Sequence, residues 1–525
     1  MIAEGFGAID LAFADQKFGR NMQDSDFMTI PHAVRRAAQR FGAAPAVVEA
    51  GRKPLSFRDL DAAMQHAAGA FAAAGIVKGD RVAIWAPNST GWILACIGAQ
   101  AAGAVVVTLN TRLKGAEAQY ILNKSRARIL VTMGNFLGTD YPALLAGLDL
   151  PHLERILRLD RDWDGFVDGA TPVAVDVGPE DPADILFTSG TTGQPKGVVC
   201  GHGQTVRVFQ VWADRVGLRE GDRYLIVNPF FHTFGYKAGW LACILAGATA
   251  YPMATLDVPA VMKLVESERI TVLPGPPTVF QSLLAAPDRG DLSSLRLAVT
   301  GAASVPPSLI ERMRHELGIA TVLTGYGLTE TTGTVTLSEV GDSAERVVTT
   351  CGKPIPGIEV RCVDAGGNAV PTGAEGEIVV RGFNIMQGYF EDAAATAAAI
   401  DAEGWLHTGD VGRFDDEGYL QITDRLKDMF ISGGFNCYPA EIERIMAGHP
   451  DIAQVAVIGV PDERLGEVGK AIVVPRPGRR PEPEAIIAWC RATMANYKVP
   501  RHLELREALP LNAAGKVQKF ELRKA

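Results

Sequence analysis

The sequence predicts an α/β protein: a large N-terminal domain of two pseudo-repeated βαβαβ sheets, a small β subdomain, and a small α+β C-terminal domain. Three observations carry this expectation. First, apolar strand-length runs alternate with helix-length runs from Gly79 to Thr132, and the alternation returns from Gly221 to Pro274. Second, the two stretches share anchors: Gly79-Asp80-Arg81 with Gly221-Asp222-Arg223, Leu94-Ala95-Cys96 with Leu241-Ala242-Cys243, and Ala102-Gly103-Ala104 with Ala246-Gly247-Ala248. Third, the texture changes at Cys351 to hairpin-like β runs and again after Arg425 to a compact α/β segment. The boundary is placed near Asp424–Asp428, giving an N-terminal domain over 1–425 and a C-terminal domain over 426–525.

Taken in order, Ile30 to Phe41 and Leu60 to Ala74 have helical apolar spacing, and Ser56 is positioned as an N-cap. Strands are predicted at Arg81–Ala86, Val105–Leu109 and Arg128–Thr132, with helices at Thr90–Ala102 and Ala116–Lys124. The second set is Arg223–Asn228, Ala248–Pro252 and Thr271–Pro274, with helices at Tyr236–Ala246 and Val258–Glu268. One further unit follows: strand Leu295–Thr300, helix Pro307–Leu317 and strand Thr321–Thr324. Ile358–Asp364, a Gly366-Gly367-Asn368 turn and Gly376–Arg381 read as a hairpin. The last segment has a helix opened by Pro439, strands at Gln454–Val460 and Ala471–Pro475, and a helix at Pro483–Met494. Trp92 to Leu109 carries no charge over 18 residues, the length of a membrane span. Its Ala/Gly content, Gln100 and Gly103, and the β-branched second half fit a buried helix followed by a buried strand instead.

Composition narrows the function. A chain of 525 residues, 47% hydrophobic and 21% charged, is a globular protein of several domains. A net charge of −9 argues against nucleic acid as a partner. Seven scattered cysteines without a C-x-x-C pair suggest a reducing interior and no structural zinc. The opening Met-Ile-Ala-Glu-Gly-Phe-Gly has no basic region before a long apolar core, so no signal peptide and a cytoplasmic location are expected.

The chemistry centres on Thr188-Ser189-Gly190-Thr191-Thr192-Gly193-Gln194-Pro195-Lys196-Gly197. An apolar strand, Ala183 to Phe187, precedes it, and Val198 onward is read as the start of a helix. Three glycines admit backbone N–H groups close to a ligand, four hydroxyls add donors, and Lys196 adds a mobile point charge. Such a loop holds a polyphosphate. It is not a Walker A loop, because Lys196 lies three residues beyond Gly193 and is followed by Gly197. The string resembles the phosphate-binding signature of the AMP-forming adenylating superfamily, which includes acyl-CoA synthetases, peptide-synthetase adenylation domains and beetle luciferases.

Further segments resemble the same family in the same order, from residue 188 to 516. The resemblance implies the fold of that superfamily and the following roles. Pro229-Phe230-Phe231-His232-Thr233-Phe234-Gly235 resembles the aromatic gate beside the carboxylate, with His232 as the gate; a histidine capping a helix is the plainer reading. Gly301-Ala302-Ala303 resembles the small-residue wall of the adenine pocket. Thr324-Gly325-Tyr326-Gly327-Leu328-Thr329-Glu330 is the strongest match: Tyr326 stacks on adenine, Thr329 binds the α-phosphate and Glu330 holds Mg²⁺, with Thr188 as a second metal and catalytic contact. Asp410 accepts from the ribose hydroxyls, Ile422 and Arg425 flank the nucleotide, and Lys427 resembles the hinge of the C-terminal domain. Ser432-Gly433-Gly434 resembles the strand lining the CoA tunnel. Lys516 resembles the lysine that bridges the attacking carboxylate and the α-phosphate.

The resemblance therefore implies an ATP-dependent acid:CoA ligase that uses ATP, Mg²⁺ and CoA and forms acyl-CoA through an acyl-adenylate. No membrane span is expected, and a homodimer is in keeping with relatives. The acid pocket falls to His232, Phe234, Tyr236, Lys237 and Gly275. No Asp stands at the gate, so an acid without an α-amino group is expected. Lys237, in an otherwise apolar helix, reads either as a lysine snorkelling to the surface or as a donor to a distal oxygen of the acid, such as a ketone. Phe231-His232-Thr233-Phe234-Gly235-Tyr236-Lys237-Ala238-Gly239 with Leu273–Thr278 resembles CoA ligases for the bicyclic propanoate left by steroid-ring degradation. A fatty acid or an aryl acid, or an acceptor other than CoA, is the alternative. A peptide-synthetase module is disfavoured because no carrier domain follows.

Overall fold

Each predicted repeat folds as a three-stranded parallel unit with the same backbone pattern. In the first, Arg81–Trp85 lies between Val105–Thr108 and Ile129–Thr132. In the second, Arg223–Ile226 lies between Thr249–Pro252 and Val272–Pro274. The shared anchors explain the match. The Gly79 amide donates to the Gly103 carbonyl at 2.9 Å, and the Gly221 amide donates to the Gly247 carbonyl at 3.2 Å. All four glycines have φ between 76° and 88°, a region that L side chains avoid. Asp80 and Asp222 each close the turn before their strand, accepting from Val77 and Arg219 amides at 3.0 Å. Each is then ion-paired by an arginine, Arg128 and Arg296 respectively.

The computed structural model describes residues 28–188, 195–301, 307–425, 428, 430–432, 435–437, 439–462, 465–494, 496, 498–511 and 517–524. The second repeat is the centre of a nine-stranded sheet, extended in parallel by Leu297–Gly301 and Thr321–Tyr326. The first is the centre of a seven-stranded sheet that runs through Pro182–Thr188 and Lys196–Gly201 to Gly388–Tyr389. Helices Ile30–Phe41, Phe57–Ala73, Thr90–Ala101, His202–Val216 and Ala242–Ala246 share one core with both sheets, from Val82, Ile84 and Val106 to Tyr224, Ile226 and Val272. Ser56 caps the second of these helices as expected: its hydroxyl accepts from the Asp59 amide, and the Asp59 carboxylate accepts from the Ser56 amide. The uncharged stretch from Trp92 divides into a buried helix and a buried strand, and no described helix is long and apolar enough to cross a membrane.

Two expectations are corrected. Val198 does not open a helix. Lys196–Gly201 is a strand, antiparallel to Pro182–Thr188, and the helix begins at His202. The β-branched pair Val198-Val199 packs better on a pleated surface than in a helix. The helix expected over Tyr236–Ala246 is a π-helix at Tyr236–Leu241 followed by an α-helix at Ala242–Ala246, with a short helical turn at Thr233–Gly235 before it. Gly239, at ψ −107°, supplies the non-helical residue.

A four-stranded antiparallel sheet, Ile358–Val363, Gly376–Gly382, Leu406–Phe414 and Leu420–Arg425, forms the small β subdomain. Beyond it, Ile452–Asp462 and Gly466–Pro475 pair antiparallel, with His502–Leu505 parallel to the latter and helices Pro439–Met446 and Pro483–Thr493 packed on them.

His202, at the start of its helix, is 1% exposed and accepts the Ile30 amide at Nδ1. Burial pushes its pKa down to about 3, with the Asp181 carboxylate pulling the other way. The depressed value means that the unfolded chain binds the extra proton first. Stability is full above about pH 6.5 and falls as pH drops toward 3. At about 1.4 kcal/mol per unit, acidification from pH 6.5 to 5 costs about 2 kcal/mol through this residue. Urea midpoints measured across that window fall for the native chain and fall less for His202→Asn, which keeps an acceptor at the δ position.

Candidate active site

The expected site residues gather at the carboxyl ends of the parallel strands, where open α/β sheets bind ligands. Thr188 ends Pro182–Thr188, Gly275 follows Val272–Pro274, Gly301 ends Leu297–Gly301, and Tyr326 ends Thr321–Tyr326. His232 lies six residues past Ile226, the end of its strand. Its Nδ1 accepts from the Phe234 amide at 3.2 Å, so the neutral ring carries its proton on Nε2. His232 is exposed, yet desolvation by the surrounding protein lowers its pKa below the usual value. His232 therefore caps a helix turn while remaining exposed. The turn at Thr233 packs on the opposite wall, where a Cβ on Gly333 would lie 3.0 Å from Thr233 Cβ.

The opposite wall is built with little room to spare. Gly301 pairs with Gly325, and a Cβ on Gly301 would meet the Gly325 carbonyl at 3.3 Å. A Cβ on Gly327 would lie 2.3 Å from the Gly333 carbonyl, a backbone clash. Thr332 holds a left-handed φ of 56°, and its hydroxyl donates to the Asn384 carbonyl at 2.9 Å. This ends the helical turn Thr329–Thr331, from which Glu330 reaches the seven-stranded sheet. There the Tyr389 hydroxyl donates to Glu330 Oε1 at 3.0 Å, and the Lys196 ammonium lies 5.0 Å from the centre of the Tyr389 ring. Tyr326 donates its hydroxyl to Asp410 Oδ2 at 2.7 Å, and both are nearly buried. Lys196 in turn pairs with Thr188 across the strands.

The family model described as AMP-binding enzyme matches residues 34–390, and the AMP-binding enzyme C-terminal domain matches 441–516. The chain belongs to the AMP-binding enzyme family. It is 48% identical, over 95% of its length and 99% of the relative's, to a 7a-methyl-1,5-dioxo-octahydroindenyl propanoyl:CoA ligase of Mycobacterium tuberculosis. Within the family, the chain is an AMP-forming acyl-CoA synthetase. It matches the Rhodococcus jostii enzyme of the same name equally, at 48% over 94% of this chain and 98% of that one. A feruloyl-CoA synthase of Amycolatopsis is 38% identical over 94% of this chain and 97% of its own. Among solved structures, the anthranilate CoA ligase AuaEII with anthranoyl-AMP superposes with a TM-score of 0.86, at 29% identity and 95% and 97% coverage. The o-succinylbenzoate CoA synthetase of Bacillus subtilis with its acyl-adenylate gives 0.84, at 29% identity and 95% and 99% coverage.

Of the expected nucleotide-site residues, Thr188 pairs with Lys196, Gly301 with Gly325 and Tyr326 with Asp410, while Glu330 and Lys196 share Tyr389; Thr324, Gly327 and Thr329 adjoin these along the chain. Gly275 is buried, and a Cβ there would meet Val279 at 3.1 Å. Phe234 is half-buried beside the gate. Ile422 is exposed, in the strand that pairs Asp410 with Arg425. Ser432 is buried on the C-terminal sheet. Ser189, Gly190, Thr191, Thr192, Gly193, Ala302, Ala303, Lys427, Gly433, Gly434 and Lys516 lie outside the described residues, as does the Arg425 side chain.

Two of the expected pocket residues turn into the core. Tyr236 is fully buried; its hydroxyl accepts from the Gln100 amide at 2.8 Å, and its ring stacks on Trp240 at 4.9 Å. Lys237 is fully buried too. Its ammonium lies 2.9 Å from Asp184 Oδ1 and 3.3 Å from Thr205 Oγ1. Burial raises the Asp184 carboxyl while Lys237 pulls it back. Burial works to lower Lys237, but Asp184 and its other neighbours outweigh that and hold its pKa above the usual value. Lys237 does not snorkel to the surface, and the expected donation to a distal oxygen of the acid is replaced by this ion pair. The π-turn is the reason: it rotates Tyr236 and Lys237 away from Phe234 and toward the strand Pro182–Thr188. Sequence reasoning missed Asp184 and Tyr389. Asp184 had a signal, a lone carboxylate in the apolar run Ala183–Phe187 that needs a buried cation. Tyr389 had none, since 59 residues separate it from Glu330.

Proposed function

We propose that this chain joins a bicyclic diketo propanoate to CoA at the expense of ATP, releasing AMP and pyrophosphate. The observation that carries the substrate is the 48% identity, over 95% of the chain, to a ligase of a methyl-dioxo-octahydroindenyl propanoate. The missing acid at the gate supports it: Pro229–Gly235 offers no partner for a substrate ammonium.

The acid's carboxylate attacks the α-phosphorus of ATP, the bond to pyrophosphate breaks, and an acyl-adenylate forms. The nucleophile is already an anion, so no general base is needed; the task is to offset repulsion between two anions. Lys516, Lys196, Thr329 and the donors of the loop 188–197 are assigned that task. Tyr326 presents its ring to adenine, and the buried Asp410 carboxylate is assigned to the ribose. Neutral His232, proton on Nε2, borders the reacting carboxylate. The chain's donors fit a Mg²⁺ ion that arrives on ATP: no group of three or more metal-binding side chains exists among the described residues, and Glu330 and Thr188 offer single hard oxygens. When bound, that ion supplies neutralisation of the phosphate charge. In the second step the CoA thiol attacks the acyl carbonyl and AMP leaves. The C-terminal domain, from residue 426, turns about Lys427 between the steps, exchanging Lys516 for Ser432-Gly433-Gly434. Seven free cysteines are in keeping with a reducing compartment for this chemistry.

Mass spectrometry of the reaction with ATP, Mg²⁺, CoA and the bicyclic acid tests the reading. The expected products are acyl-CoA and AMP in equal amounts. ADP in place of AMP, or acyl-AMP that accumulates unchanged with CoA present, contradicts it.

A further inference from the structure

We propose that Tyr389 is a positioning residue for the metal–nucleotide complex: it sets the Glu330 carboxylate and the Lys196 ammonium at a fixed separation before ATP binds. The inference rests on the assignment of Glu330 to Mg²⁺ and of Lys196 to phosphate. Tyr389 touches both. Its hydroxyl donates to Glu330 Oε1 at 3.0 Å, and its ring lies 5.0 Å from the Lys196 ammonium. Its own backbone is fixed between the same two elements. Val198 pairs with Tyr389 across the strands, the Phe390 amide donates to the Gly197 carbonyl at 2.7 Å, and the Met386 amide donates to the Glu330 carbonyl at 2.9 Å. The segment 386–390 therefore ties the loop carrying Glu330 to the strand carrying Lys196.

The physical need is clear. A lysine and a glutamate that share one phosphate site attract each other, and a direct pair would have to be broken for every nucleotide bound. No ion pair joins Lys196 to Glu330 in this structure; the phenol stands between them. Its hydroxyl satisfies one carboxylate oxygen, and its π face holds the ammonium electrostatically without consuming its donors for hydrogen bonds. The site is thereby preorganised rather than self-neutralised.

Calorimetric titration of ATP, with Mg²⁺ and with EDTA, separates this from a structural role. Tyr389→Phe keeps the ring and its packing. It is expected to weaken Mg²⁺–ATP binding about tenfold, as for a lost hydrogen bond to a charged group. Metal-free ATP binding should stay unchanged. Tyr389→Leu, which also removes the π face, is expected to weaken ATP in both conditions. Tyr389→Phe on a Glu330→Gln background should add little. The proposal is overturned if Tyr389→Phe binds Mg²⁺–ATP like the native chain, or if it loses affinity equally with and without metal. If ATP affinity of the native chain ignores Mg²⁺, the metal assignment itself falls and the proposal falls with it.

Discussion

Lys516→Ala is expected to lower acyl-adenylate formation by about two to three orders of magnitude while leaving the second half-reaction nearly intact. The effect is electrostatic. Bringing a carboxylate against a phosphate opposes two unit charges, worth about 4 kcal/mol at 4 Å and an effective dielectric constant of 20. A cation bridging them removes repulsion only as they meet, so it acts on the transition state more than on either bound ground state. Loss of one such donor typically costs about 10²–10³ in rate. Acid-dependent exchange of pyrophosphate into ATP reads the first step. Single-turnover conversion of synthetic acyl-AMP with CoA reads the second. A variant equally impaired in both would show that Lys516 serves the fold or the thiol step, not the adenylation alone.

Lys237→Met is expected to destabilise the chain by about 3–5 kcal/mol and to affect all acids alike. Removal of one partner leaves the Asp184 carboxyl at 0% exposure without its counter-ion, the costly way to break a buried pair. Lys237→Met with Asp184→Leu should recover most of that loss, since buried pairs exchanged for apolar residues of similar volume are often neutral or better. Urea midpoints of the three proteins give the comparison. A stable Lys237→Met variant that lost only the diketo acid would restore the lysine to the acid pocket.

The repeated architecture was legible because its marks are local. Gly79 and Gly221, Gly103 and Gly247 are glycines for the same backbone reason, and Asp80 and Asp222 close the same turn. The expected adenine and metal residues could be read together because Gly325, Tyr326, Gly327 and Glu330 fall within one six-residue stretch of the chain. What escaped the sequence depends on pairing between distant segments. Val198-Val199 became a strand because Pro182–Thr188 and Gly388–Tyr389 lie on either side of it. Tyr236 and Lys237 turned inward because a π-turn at Gly239 changed the face they present, and helical periodicity assumes an unbroken 3.6-residue repeat. Asp184 was visible as an anomaly, but its partner lay 53 positions away on another element.

The most direct test of the account is the ratio of kcat/KM values for the native chain across a panel of acids. The panel holds the methyl-dioxo-octahydroindenyl propanoate, ferulate, anthranilate and a series of straight-chain fatty acids, each with ATP, Mg²⁺ and CoA. The account predicts a preference of at least about a hundredfold for the bicyclic acid, the scale a shaped pocket with polar contacts reaches. A higher kcat/KM for ferulate or for any straight-chain acid would contradict it.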